Sequence, residues 1–167
     1  MTGGNQGSHF LNIQIFNLIK KLESFLIFHQ VGTANFGQDH THAKSIRNHN
    51  YFSTDYLGSD NIGAVLNRAD LVIARSGANT IWDLALLAKV AILVPLPFAA
   101  SGEQLKNAKI LERAGSATIL EQKNFKSSTL MEYINKIFQN YPKFQKEAQI
   151  FSKSLPKNAI ASIIKVI

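Results

Sequence analysis

The sequence predicts an α/β fold built on a doubly wound parallel sheet, and three observations carry that expectation. Two short segments, Asp70-Leu-Val-Ile-Ala74 and Val90 to Val94, are continuously apolar after at most one residue. Strands buried on both faces need that pattern. Segments of helical periodicity alternate with such runs, as in repeated strand–helix units. Glycine or proline punctuates the changes of pattern, at Gly77, Pro95 and Gly115.

Taken in order, Ser8 to Glu23 reads as an amphipathic helix, with Phe10, Leu11, Ile13, Phe16, Leu18, Ile19 and Leu22 as its apolar side. Phe25 to His29 is a short apolar run of strand type. Gln38 to Arg47 is polar and fits no single template, and Tyr51-Phe52 suits a short strand. Asn61 to Arg68 reads as a helix, followed by the strand ending at Ala74. Thr80 to Ala88 is a helix, Val90 to Val94 a strand closed by Pro95, and Gln104 to Ala114 a helix stopped by Gly115. Ala117 to Leu120 is a strand, and from Ser128 the chain reads as helical, broken near Pro142 and Pro156.

Composition narrows the function classes. At 167 residues, with 46% hydrophobic and 17% charged, the chain suits one globular domain, expected to span 1–167 with C-terminal helices from about 128. It has no cysteine, which excludes a disulfide scaffold, a thiol nucleophile and a thiolate metal site. The polar, glycine-rich start MTGGNQGSHF lacks the apolar core of a signal peptide. The longest apolar stretch, Leu84 to Ala100, is interrupted by Lys89, Pro95 and Pro97 and does not read as a membrane span. The net charge of +7 is uneven, with ten Lys and Arg against nine Asp and Glu in residues 1–122, and eight against two in 123–167. A basic C-terminal quarter without nucleic-acid motifs argues against nucleic acid and fits either a solvated surface or an anionic membrane.

Open parallel sheets bind ligands in the turns after their strands, and three such turns stand out. Gly3-Gly4-Asn5-Gln6-Gly7-Ser8 opens the first helix, where close backbone approach and free N–H groups favour an anion; a plain strand–helix turn would look the same. No carboxylate ends the second strand at Phe28-His29-Gln30, which disfavours a dinucleotide. Arg75-Ser76-Gly77-Ala78-Asn79-Thr80 could hold a diphosphate, with Asp83 one turn later for a sugar diol. The bland alternative for Asp83 is a capping box with Thr80. After Pro95-Leu-Pro-Phe98, Gln104 and Asn107 fall on one helix face, where amides can recognise sugar hydroxyls or simply meet solvent. Asp39, His40 and His42 form a short D-H-x-H cluster, but no further ligand set has recognisable spacing, so no metal is expected. His29 is expected to be structural.

The ordered set GGNQG, ADLVIARSGANTIWDLA, AILVPLP and EQLKNAKILERAGSA resembles the C-terminal donor domain of MurG-type transferases, glycosyltransferase family 28. The resemblance runs over essentially the whole chain and is most specific from Ala69 to Asp83. It implies a Rossmann-like half of a GT-B fold and an inverting transfer of GlcNAc from UDP-GlcNAc to an undecaprenyl-linked acceptor, with no cofactor besides that donor. By the same resemblance Gly4, Asn5, Gln6 and Gly7 contact the donor, Tyr56 and Leu57 lie in the uracil-contacting segment, and Arg75 belongs to the R-S-G motif. Ala78, Asn79 and Thr80 match the diphosphate-holding helix start, Asp83 a ribose-binding glutamate and Gln104 a donor-sugar glutamine; the catalytic residue stays unassigned. Asn5 replaces the usual serine, Asp83 is one methylene short, Glu103 stands for His or Gln, and Ala88 and Val90 replace Gly and Pro.

The resemblance also implies an acceptor-binding N-terminal half and a central first strand ahead of Thr2, neither present in these residues. The expectation is therefore a fragment of a longer protein, or a sheet completed by another segment. The functions in view are the donor half of a lipid-linked GlcNAc transferase, an obligate subunit of a two-chain enzyme, and a non-catalytic nucleotide-sugar-binding module. The implied location is the cytoplasm, peripheral on the inner membrane face. Lys126, Lys136, Lys143, Lys146, Lys153, Lys157 and Lys165 are interleaved with Phe138, Phe144, Phe151, Ile160, Ile163 and Ile164. The apolar set is expected to pack on the sheet or on the other half.

Overall fold

Two buried strands set the frame: β3 (Leu71–Ala74) and β4 (Val90–Leu93) pair in parallel, and β5 (Ala117–Ile119) adds to β4. The computed structural model describes residues 1–98 and 102–156. Side chains alternate across a strand, and here both faces are covered. Val90, Ile92 and Val94 join one core with Leu11, Ile15 and Leu130, while Ala91 and Leu93 join another with Ile81, Leu84 and Leu111. That two-sided burial is why these segments are apolar at every position.

The second sheet pairs β1 (Ile27–Gln30) with β2 (Tyr51–Thr54), also in parallel. Between β1 and β3 the only bridging residue among those described is Thr2, which forms isolated parallel bridges to Gln30 and to Ala74. The order is thus β2-β1-(Thr2)-β3-β4-β5, with one residue at the place of the expected first strand. Below Thr2 an apolar groove of about 470 Å³ separates the two sheets, walled by Ile15, Leu22, Ile27, Ile73 and Ile134 among others.

The helices are α1 (His9–Phe16), α2 (Asp39–Ser45), α3 (Ser59–Arg68), α4 (Ala78–Leu86), α5 (Glu103–Arg113), α6 (Ser127–Gln139) and α7 (Tyr141–Ser154). The helix expected to reach Glu23 stops at Phe16. A separate 3₁₀ turn, Ile19–Lys21, then buries Leu18, Ile19 and Leu22 from a different direction. The strand expected at Phe25 begins at Ile27, because Phe25 turns to Phe138 (ring centroids 5.2 Å) and Leu26 faces solvent. The polar 38–47 segment is helical as α2, held by buried Asp39 and Ala43. Pro142 sits in the first turn of α7, where a missing N–H costs nothing. Phe144 packs against the first core and Phe151 against the second. Lys157, Ile160, Ile163, Ile164 and Lys165 lie outside the described residues. No described helix is long and apolar enough to cross a membrane.

Candidate functional site, a cleft between two helix N-termini

A cleft of about 540 Å³ opens at the carboxyl ends of the strands. Its first wall is the turn after Thr2, with Gly4, Asn5, Gln6 and Gly7 leading into α1. Its second is the turn after β3, where Gly77 precedes Ala78, Asn79 and Thr80 at the start of α4. Leu96 and Gln104 close the third side. Two helix N-termini therefore converge on one space, each offering N–H groups without intrahelical partners and the positive end of its dipole.

The first turn is shaped by glycine. Gly4 and Gly7 adopt φ of +88° and +87°, and a Cβ on Gly7 would lie 2.1 Å from the Val31 carbonyl oxygen. The carbonyls of Asn5 and Gln6 accept from the N–H groups of Thr33 (3.0 Å) and Ala34 (3.1 Å). Ser8 caps α1, its Oγ accepting from Leu11 N at 3.5 Å. The second turn has no such packing. Nothing lies within 4 Å of a Cβ built on Gly77, and no side chain caps α4. The capping-box reading of Thr80 and Asp83 falls here, because α4 begins two residues before Thr80 and Gly77 is its cap.

Arg75 forms the cleft floor and is 7% exposed. Its Nη1 donates to the carbonyls of Val94 (3.0 Å) and Pro95 (3.3 Å), and its Nη2 to Ser8 Oγ (2.9 Å) and Gln122 Oε1 (2.8 Å). All four acceptors are neutral. Burial lowers its pKa to about 10, so it stays cationic at neutral pH. It is the only charged side chain among the described lining residues, so the cleft is electropositive, with no carboxylate or histidine to act as a base.

The remaining predicted residues divide. Gln104 lines the cleft and its Oε1 accepts from Leu96 N (3.0 Å), which fixes the loop after β4. Asn107 turns away to donate to the Ser76 carbonyl (3.4 Å), so the two amides do not form one recognition face. Asp83 is half-buried on α4 and outside the lining, its pKa raised by that burial. Tyr56 is exposed, while Leu57 faces the groove between β1 and β3 instead of the cleft. The D-H-x-H cluster disperses: Asp39 meets His9 and Asn12, His40 meets the Gly32 carbonyl, and His42 stacks on Phe16 at 4.3 Å. Sequence reading missed Gln122, the neutral partner of Arg75, because nothing in its local pattern signals a contact 47 residues away.

The model of the glycosyltransferase family 28 C-terminal domain matches residues 1–165. The chain belongs to that family. Among its relatives is the UDP-N-acetylglucosamine–N-acetylmuramyl-(pentapeptide) pyrophosphoryl-undecaprenol N-acetylglucosamine transferase of Geobacillus kaustophilus. The two are 31% identical over 165 residues, covering 98% of this chain and 44% of the relative. The chain therefore spans a little under half the length of that relative. The crystal structure of Acinetobacter baumannii MurG superposes with a TM-score of 0.80 at 27% identity, covering 99% of this chain and 48% of that one. A kitacinnamycin glycosyltransferase shares the fold at 14% identity, with a TM-score of 0.72 over 92% of this chain and 37% of that chain.

Proposed function

We propose that this chain is the donor-binding part of a transferase that moves GlcNAc from UDP-GlcNAc to an undecaprenyl-linked acceptor, the lipid I to lipid II step of peptidoglycan synthesis. The observation that carries this reading is a cleft made of two helix N-termini over one buried guanidinium, with no negative charge among its described lining residues. The diphosphate sits between Gly4–Gly7 and Ala78–Thr80, with Gln104 on the sugar side. Asp83, on α4, and the exposed Tyr56 serve the ribose and uracil at the outer end.

In the reaction, an acceptor hydroxyl attacks the anomeric carbon as its bond to the diphosphate oxygen breaks. The hydroxyl proton passes to a base, and UDP leaves with the added negative charge. The helix N-termini and Arg75 stabilise that charge where it develops. The described lining residues include no base, and in this reading the acceptor-binding half supplies it, on the same polypeptide or on a partner subunit.

Calorimetry with UDP, ADP and GDP tests the donor site. UDP is expected to bind tightest, with Asp83→Ala weakening it about tenfold or more, as for loss of a hydrogen bond to a charged group. Equal affinity for the three nucleotides, or none for UDP, ends this reading. The exposed Lys143, Lys146 and Lys153 recur along α7 and suit an anionic membrane surface. Sedimentation with phosphatidylglycerol vesicles should show binding that high salt abolishes; equal binding to neutral vesicles removes the electrostatic role.

A further inference from the structure

Beneath the glycine turn lies a run of buried polar side chains to which the proposed reaction assigns nothing. Asn12, on the inner side of α1, is 1% exposed. Its Nδ2 donates to the Val31 carbonyl (2.9 Å) and to Asp39 Oδ2 (2.7 Å), and its Oδ1 faces His29 Nε2 at 3.0 Å. An amide oxygen only accepts, so His29 carries its proton on Nε2, and its Nδ1 accepts from the Tyr51 hydroxyl at 2.9 Å. Asp39 Oδ1 accepts in turn from His9 Nδ1 at 2.9 Å. Both N–H donors and the oxygen of the Asn12 amide are thus engaged, and no other side chain of its size offers two donors beside an acceptor.

The two carbonyls at the centre of this arrangement belong to Val31 and Gly32, the turn that follows β1. Asn12 holds the first. His40, through Nε2, donates to the second. The glycine turn rests on Val31 and Gly32, through the Val31 carbonyl and the Gly32 Cα. Gly32, at φ +100°, leaves its missing Cβ only 2.0 Å from Gly7 Cα, so the two backbones touch directly. The next two residues, Thr33 and Ala34, take the carbonyls of Asn5 and Gln6. In a trans peptide the N–H points opposite to the C=O. Turning those carbonyls toward 33–34 therefore turns the N–H groups of Gln6 and Gly7 the other way. The Gly7 N–H closes the turn on the Gly4 carbonyl at 3.1 Å. The Gln6 N–H is left on the side away from the 31–34 turn.

We infer that Asn12 and His40 are positioning residues for phosphate binding: they fix the 31–34 turn, and that turn sets the peptide planes of the glycine turn. Neither lines the cleft, and neither touches the ligand. The inference rests on the reading that the glycine turn receives a diphosphate. It also explains why part of a histidine cluster with no recognisable metal set occurs at Asp39-His40: both residues serve one backbone turn, Asp39 orienting Asn12 and His40 gripping Gly32.

The test measures UDP binding by calorimetry, and uridine and inorganic pyrophosphate by ligand-observed NMR, for the full chain and two variants. Asn12→Leu keeps the volume and removes the donors. His40→Ala removes the grip on Gly32 from a more exposed position and stays folded if the first variant does not. Asn12→Leu is expected to weaken UDP and pyrophosphate about tenfold or more, as a misplaced binding group does. His40→Ala should weaken both about threefold. Uridine, which has no phosphate, should change less than twofold in either. A folded variant that binds UDP as the parent does, or that loses uridine and UDP equally, overturns the inference and leaves the donor assignment standing. Failure of the parent chain to bind UDP overturns the donor assignment itself.

Discussion

The turn that enters α1 and the turn that enters α4 face the same cleft but are held in different ways. At the first, Gly7 and Gly32 interlock, two backbone carbonyls accept from the N–H groups of 33–34, and a buried amide and imidazole stand behind them. At the second, Gly77 has empty space around it, φ is an ordinary −64°, and Ala78 and Asn79 are exposed. The difference concerns preorganisation. The first turn is fixed before a ligand arrives, at the cost of residues that can be nothing but glycine. The second is tied to α5 through Ser76, whose Oγ donates to the Gln104 carbonyl and whose carbonyl accepts from Asn107, and it leaves room for a ligand to settle against it.

The largest expected contrast comes from adding one methyl group to each turn. In Gly7→Ala the new Cβ meets the Val31 carbonyl at 2.1 Å on a backbone at φ +87°. Backbone strain and overpacking together should cost roughly 3 kcal/mol of stability. Gly77→Ala meets nothing, and its cost should be limited to about 1 kcal/mol or less, the difference between glycine and alanine as the N-cap of α4. Urea unfolding of the two variants checks this. Equal losses, or a harmless Gly7→Ala, would show that the first turn is no more fixed than the second.

The support behind the first turn also carries a pH signature. Burial lowers the His29 pKa from 6.5 to about 3, with the amino terminus as the lesser cause. The imidazole is thus neutral in the folded chain and accepts a proton first when unfolded. Its contribution is complete above about pH 6.5 and is lost as pH falls toward 3, by up to about 1.4 kcal/mol per pH unit. His29→Gln has no such titration, so its stability should fall less steeply than the parent's between pH 6.5 and 4.5. Tyr51 stays protonated throughout, its pKa raised by burial. Parallel slopes for the two proteins would mean that His29 titrates in the folded state as freely as in water. No comparable buried imidazole stands behind the α4 turn among the described residues.

The same contrast explains what was legible in the sequence. Continuous apolar runs announce β3 and β4, because burial on both faces leaves no room for polar residues, and with them the sheet and the position of the α4 turn. Helix limits were less legible. The apolar residues after Phe16 continue at helical spacing, yet they reach the core from a 3₁₀ turn. The Thr80–Asp83 pair mimics a cap, while the true cap, Gly77, has no side chain to signal it. The glycine turn was visible as a motif but its support was not. Asn12, His29 and Asp39 are separated by 17 and 27 residues from their partners, and each looks locally like an ordinary polar residue. Leu57 and Asn107 share segments with site residues, but their side chains serve the neighbouring groove and the Ser76 carbonyl.

The smallest expected effect lies at the far end of α4. That helix closes with Lys89 N donating to the Leu84 carbonyl (2.9 Å) and Ala88 N to the Ala85 carbonyl (3.3 Å). These are the paired bonds of a helix ending on a left-handed residue. Helix α5 ends in the same way, with Ser116 N on Leu111 and Gly115 N on Glu112, and there the left-handed position is a glycine at φ +75°. In α4 it is Ala88 at φ +51°. A left-handed conformation costs a residue with a Cβ roughly 1–2 kcal/mol, and the greater freedom of glycine in the unfolded chain offsets about 0.4–1 kcal/mol of that. Ala88→Gly should therefore stabilise the chain by about 0.5 kcal/mol and raise Tm by about 1–2 °C. The site is remote from the cleft, so UDP affinity should not change. A lower Tm would mean that the Ala88 backbone carries no strain, and that glycine at left-handed positions matters only where, as at Gly7 and Gly32, two backbones touch.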